Sequence, residues 1–231
     1  MLRKDSQSYV CLKNRPPGLW SQVEKSKNFC MEFLSDNDKI VIENGYCFNP
    51  ETTIGIIFGE PCAPYDSERV QAIEALFADT GLHYRSTEYI REEMWSKFRL
   101  NVCNNLPQAI LGAGVGCYQD SVHMKAISDG LRRELEAIAS AKGIDISKAA
   151  ASSGHGSAVP PSARYSTLQD LDAGRHTEID MFSGALVRMG RELGIPTPYN
   201  EYTYHMIKAL EEKNDGKFDY SKEDGEVTCS R

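Results

Sequence analysis

Residues 89–111 read as one amphipathic helix whose two sides ask for different surroundings. Met94, Phe98, Val102 and Leu106 recur every four residues and form an apolar stripe fit for a core. Beside that stripe, Lys97, Asn101 and Asn105 recur at the same interval. They set one cation and two carboxamides along about 12 Å of helix, at about 1.5 Å per residue. The plainer reading is an ordinary solvated face. The sharper one is a helix built to hold something polar beside a core.

The chain around it changes character near residue 88. Upstream, Lys39–Glu43 and Thr53–Phe58 read as short strands, Ser67–Ala78 as a helix with Val70, Ile73, Leu76 and Phe77 on one side, and His83–Thr87 as a further strand. The first ~35 residues show no sustained period and contain Pro16-Pro17, so they read as irregular. Downstream, every periodic segment is helical. Ser121–Lys142 carries Met124, Ile127, Leu131, Leu135 and Ile138 and stops at Gly143. Residues 149–161 are rich in Ala, Ser and Gly, end in Pro160-Pro161, and read as a loop or a poorly ordered stretch. Thr177–Asp180 looks like a capping box opening a helix with Ile179, Phe182, Leu186, Met189 and Leu193 inward and Gly194 as its stop. Asn200 is expected to cap a last helix through Leu210, and the charged tail after Asn214 is expected to fray. The expected fold is α+β. A small α/β piece spans 1–87, and an all-helical domain spans 88–231.

Several function classes lose support. The net charge is −7, with lysines and arginines scattered, so nucleic acid is not an expected partner. No apolar run approaches the ~20 residues that span a bilayer, so no membrane partner is expected. The N-terminus lacks the apolar core of a signal peptide, and a cytoplasmic location is the expectation. Seven cysteines with no Cys-x-x-Cys pair indicate neither a disulfide framework nor a zinc site. Arg175-His-Thr-Glu178 has no second ligand four residues on, and no metal is expected.

Two further positions have chemical potential. Ser166 precedes the helix-start pattern Thr167-Leu-Gln-Asp170, which puts a hydroxyl beside free backbone N–H groups; the plainer reading is that Ser166 and Thr167 only cap the helix. Glu178 adjoins the inward-facing Ile179, and a carboxylate at a core boundary needs a partner, which Lys97 could supply. The plainer reading is a charge offsetting a helix dipole. Leu111-Gly-Ala-Gly-Val-Gly-Cys117 looks like a dinucleotide loop. It follows a helix rather than a strand, however, and its third glycine comes one residue early, so it reads as a turn.

Together, Glu93–Asn105, Ser166–Asp180 and Gly194-Ile-Pro-Thr-Pro-Tyr-Asn200 resemble the ketopantoate reductases (2-dehydropantoate 2-reductases), over roughly residues 85 to 213. Ile54–Glu60 and the following helix look like the closing elements of that family's nucleotide-binding domain. The resemblance implies an all-helical C-terminal domain like that of 6-phosphogluconate dehydrogenase, preceded by a small remnant of a Rossmann-type α/β domain. It also implies NADPH-dependent reduction of a 2-keto acid in pantothenate biosynthesis, with a small-molecule substrate, NADP(H) as cofactor and a homodimer as the assembly to test for. Carried over by residue, Lys97 is the catalytic lysine, Asn101 and Asn105 are substrate-binding asparagines, and Ser166 is a substrate-binding serine. Glu178 and Asn44 fall at cofactor-contacting positions.

The departures from the family pattern are specific. Ala163 and Val115 stand where some members carry further substrate-contacting asparagines. The stretch between Asn44 and Ile54–Glu60 is shorter than the family's. The N-terminal glycine-rich βαβ unit is expected to be missing, leaving a truncated nucleotide-binding remnant. The alternative reading is a catalytically silent helical module for dimerisation or interaction.

Overall fold

The computed structural model describes residues 30–34, 55–78, 80, 84–149 and 159–220. The expected strand at Lys39–Glu43, Asn44, the Pro16-Pro17 breaker and most of the 149–161 loop lie outside them. Two compact units divide the chain. The first takes the described residues up to Ser96 together with Ile144–Val159, and the second takes Lys97–Gly143 and the described residues from Pro160 onward.

In the first unit, β1 (Cys30–Leu34), β2 (Gly55–Gly59) and β3 (Tyr84–Ser86) form a sheet in that order. β1 runs antiparallel to β2, with Met31 opposite Phe58; β3 runs parallel to β2, with Arg85 opposite Ile57. The parallel pair needs a crossover, and α1 (Glu68–Phe77) supplies it. Ser67 caps α1 by accepting from Val70 N at 3.3 Å. The helix buries Val70, Ile73, Leu76 and Phe77, the four residues its periodicity selects. Phe58, Phe77 and Tyr84 pack ring on ring at 5.6–6.4 Å beside Ile56, Val70 and Ile73. β1 corrects the expectation that the first ~35 residues are irregular: its pairing is with a strand more than twenty residues away, and that leaves no local period to read.

The helical run from residue 90 is three pieces in sequence. α2 (Ile90–Leu100) passes into a π-helical turn (Asn101–Asn105) and then α3 (Leu106–Leu111). After α4 (Cys117–Asp120), α5 (Val122–Ala141) starts at the cap Ser121, which accepts from Met124 N. A short 3₁₀ turn (Ile146–Lys148) follows in the first unit. The second unit continues with α6 (Ser166–Asp172), α7 (Ser183–Leu193) and α8 (Pro198–Asn214). Its core is filled by Val102, Leu106, Leu131, Leu135, Ile138, Ile179, Leu186 and Ile207, each buried, where α3, α5, α7 and α8 pack on one another.

Four expectations need correction. Met94 is 42% exposed, because the first turns of α2 bury Ile90 and Glu93 instead, and Arg85 binds that glutamate at 2.7 Å. Ile127 and Leu193 are also exposed. No helix opens at Thr177: its hydroxyl and N–H both turn to Glu211, Asp180 takes Lys208 as partner, and α7 starts at Ser183. Asn200 is not a cap. It lies in the first turn of α8, buried, after the cap residue Thr197. Gly194 does end α7, in the left-handed conformation at φ 68°. Among the described residues no helix is long and apolar enough to cross a membrane.

Candidate active site

The π-turn is where the polar row becomes a candidate site. Pro107 stands near the start of α3 and has no N–H to return to the carbonyl of Cys103, four residues back. The chain passes over that gap in a wider turn, a distortion that recurs at functional positions. Tyr118 donates its hydroxyl to the Asn104 carbonyl of the same turn. Burial pushes the Tyr118 phenol up and the Cys103 thiol up to about 12, so neither group ionises near neutral pH.

Within the turn, Asn105 Nδ2 donates to Asn101 Oδ1 at 3.2 Å. Asn105 is 5% exposed, and its Oδ1 is buried with no hydrogen-bond partner among the described residues. A buried acceptor left in this state costs about 1–3 kcal/mol. Lys97, one turn earlier, is half-buried, and among the described residues no carboxylate lies within ion-pair distance of it. One cation and one unused acceptor therefore share a helical run.

α6 packs against both the π-turn and α3, which brings the helix that starts at Ser166 to this face; the Ser166 side chain is exposed. The approach to it is held from α3. Buried Gln108 donates Nε2 to Ala163 O at 2.8 Å and accepts from Tyr165 N at 2.9 Å. The glycine run holds the same segment, through Gly116 N to Pro161 O at 2.9 Å and Val115 N to Ala163 O at 3.0 Å. A Cβ at Gly114 would lie 2.3 Å from Pro161 O, and one at Gly116 would lie 2.8 Å from Pro161 Cβ. These glycines serve close backbone approach between two loops. Val115 and Ala163, the two apolar departures, are thus direct neighbours.

Glu178 is exposed in the turn before α7. The Phe98 and Phe182 rings, 6.5 Å apart, bring that turn against the end of α2, yet Glu178 and Lys97 form no ion pair. The fixed acid nearby is Glu211, which accepts from Thr177 N and Oγ1 at 2.7 Å each and from Lys208 at 3.1 Å. Asn44 lies outside the described residues. Gln108 and Tyr118 were not legible as site residues. The one signal for Gln108 is a polar residue three positions after Asn105 in an otherwise apolar helix end.

Residues 89–211, more than half of the chain, match the family model described as ketopantoate reductase PanE/ApbA C terminal. The chain belongs to the ketopantoate reductase family. A 2-dehydropantoate 2-reductase of Aquifex aeolicus (strain VF5) is 26% identical over 177 residues, which is 74% of this chain and 57% of that protein. The crystal structure of a PanE/ApbA family ketopantoate reductase from Ralstonia eutropha JMP134 is similar at TM-score 0.56 and 26% identity, over 69% of this chain and 52% of that one. D-mandelate dehydrogenase, solved with NADH and anilino(oxo)acetate, shares the fold at TM-score 0.59 and 20% identity, over 69% of this chain and 53% of that one. The chain spans about half the length of the curated relatives it matches.

A ketopantoate reductase also has a nicotinamide nucleotide to hold, and its diphosphate calls for a glycine-rich strand-to-helix turn with free N–H groups. Among the described residues the two strand-to-helix turns are 60–67 and 87–89, and neither contains a glycine. The first instead seats the Glu60 carboxylate at the start of α1, accepting from Ser67 at 2.8 Å and from Arg69 at 3.3 Å. An acid there repels phosphate. The described residues do not fit the diphosphate.

Proposed function

We propose that this chain carries the substrate-binding, proton-donating part of an NADPH-dependent reductase acting on 2-dehydropantoate or a related 2-keto acid that bears a hydroxyl. The observation that carries this reading is the buried, unpartnered Asn105 Oδ1. It is an acceptor, so its complement on the substrate is an O–H donor. Lys97 ammonium hydrogen-bonds the ketone oxygen and holds the proton that this oxygen takes as it becomes an alcohol. Asn105 accepts from the substrate hydroxyl, with Asn101 fixing the amide's orientation at 3.2 Å. The Ser166 hydroxyl donates to the substrate carboxylate. Glu178, exposed in the turn before α7, is assigned to the cofactor side with Asn44. All of this is positioning and electrostatics.

Calorimetric titration of the full chain with 2-dehydropantoate tests the reading, alongside the analogue lacking its hydroxyl. A site that has buried an acceptor for that hydroxyl is expected to bind the analogue at least about tenfold more weakly. Equal affinities refute the assignment of Asn105. No heat with either compound at millimolar concentration refutes the substrate site and leaves a helical interaction module as the reading.

A further inference from the structure

We propose that Gln108 is a positioning residue of this site, fixing where Ser166 enters α6 relative to the Asn101–Asn105 turn. The inference rests on the substrate reading above for the role of Ser166, and on geometry for everything else. Gln108 is completely buried, and its carboxamide is spent on the backbone of one distant segment: Nε2 on Ala163 O at 2.8 Å and Oε1 on Tyr165 N at 2.9 Å. A planar amide bonded to alternate residues of one segment fixes both its height and its rotation, as a strand partner would.

Tyr165 is the cap position of α6, and no side chain of the segment itself supplies the cap bond. α6 has seven residues, well below the ~12–15 at which a helix holds its own in water. Within the segment, Gln169 Nε2 donates to Arg164 O at 2.5 Å and Arg164 Nε to Asp172 at 3.0 Å, which braces its first turn; the N–H at the cap is held from outside, by Gln108. On the other side, Gln108 follows Asn105 by three residues on one continuous helical run, so both lie on one face. A single stiff element thereby carries the orphan acceptor and the amide that registers Ser166. Ala163 O also accepts from Val115 N, so the loop keeps part of its anchorage when Gln108 is changed.

Two measurements on the full chain decide the matter. The first is amide hydrogen exchange in Gln108→Met, which matches volume but makes neither bond. Tyr165 is expected to exchange at least about tenfold faster while α5 amides are unchanged. Gln108→Glu, which keeps an oxygen for Tyr165 N, should hold its protection. Unchanged Tyr165 exchange in the methionine variant overturns the proposal. The second is 2-dehydropantoate affinity by calorimetry. A residue acting through Ser166 should add nothing once Ser166 is gone, so Gln108→Met/Ser166→Ala should bind no more weakly than Ser166→Ala alone. Additive losses overturn the positioning role. If the wild-type chain binds no 2-dehydropantoate, the substrate reading fails and the exchange result alone decides whether Gln108 sets the start of α6.

Discussion

Replacing Asn105 by leucine should make the chain more stable and less able to bind its substrate at once. Asn105 is 5% exposed, and its Oδ1 has no partner among the described residues. That desolvated acceptor costs about 1–3 kcal/mol, and leucine, of similar size and branching, removes it. Against this stands the loss of one amide–amide bond at 3.2 Å to Asn101, which contributes about 0.5–1.5 kcal/mol. Asn101 is half-buried, so its freed oxygen reaches water. The balance favours Asn105→Leu by about 1 kcal/mol, or about 2–4 °C in Tm for a chain of this size. Urea denaturation followed by far-UV circular dichroism measures it. The urea slope must be compared between variants, because two units need not unfold together. The same variant should bind 2-dehydropantoate at least about tenfold more weakly. A leucine variant less stable than wild type by about 1 kcal/mol or more refutes the reasoning: Asn105 Oδ1 would then be satisfied in the free protein and not reserved for a ligand hydroxyl.

Other perturbations probe the neighbouring parts. Lys97→Ala should lower keto-acid-dependent NADPH oxidation by at least about a hundredfold in any active form; unchanged turnover removes Lys97 from the chemistry. Burial alone would raise the Glu211 carboxyl, but the Thr177 N–H and O–H and the Lys208 ammonium outweigh it and hold it below its ordinary 4.5. A carboxyl lowered on folding adds stability that is present above the ordinary value and lost as pH falls through the folded one. Glu211→Gln should therefore be less stable by about 1–2 kcal/mol near neutrality, with the gap closing on acidification; a gap that persists unchanged into acid contradicts the assignment. Gly114→Ala must push the Pro161 backbone, 2.3 Å from the new Cβ, and should lower stability by about 1–3 kcal/mol. Gly130→Ala first meets the exposed Tyr199 ring, a side chain that can swing aside, and should lose less in the same urea assay.

What could be read from the letters was what depends on neighbours in sequence. α1 buries the four residues its period picks out, and α5 starts at Ser121 and ends before Gly143 as its pattern dictates. Asn101 and Asn105 stay together because four-residue spacing keeps their side chains neighbours even through a π-turn, as the bond between them records. The turn itself was not legible as such, although Pro107 is its visible cause. β1 was missed because an edge strand is made by its partner. Met94 was placed inward by the four-residue stripe, but the first unit buries Glu93 with Arg85 there, a pairing between a strand residue and a helix residue that no helical period contains.

The largest group of misreadings has one physical origin. The backbone N–H groups that open a helix have no partner within it, and sequence rules assume that a residue nearby supplies one. In the second unit the partner comes from far away instead. Tyr165 N at the start of α6 is taken by Gln108, 57 residues earlier. Tyr199 N and Asn200 N in the first turn of α8 are taken by the buried carboxylate of Glu134, at 2.8 and 3.0 Å. Thr177 N, before α7, is taken by Glu211 at 2.7 Å. Each local capping pattern (Thr167 with Asp170, Thr177 with Asp180, Asn200) was therefore displaced by a long polar side chain buried in the interior of another helix. Such a side chain is stable there only while it holds those N–H groups, since a buried amide or carboxylate without partners is costly. The starts of α6, α7 and α8 are thus coupled to the packing of α3, α5 and α8, and so are Ser166 and Glu178, the two residues of the proposed site carried by those starts. Loosening any one of the three polar anchors should disturb the site before it disturbs the core.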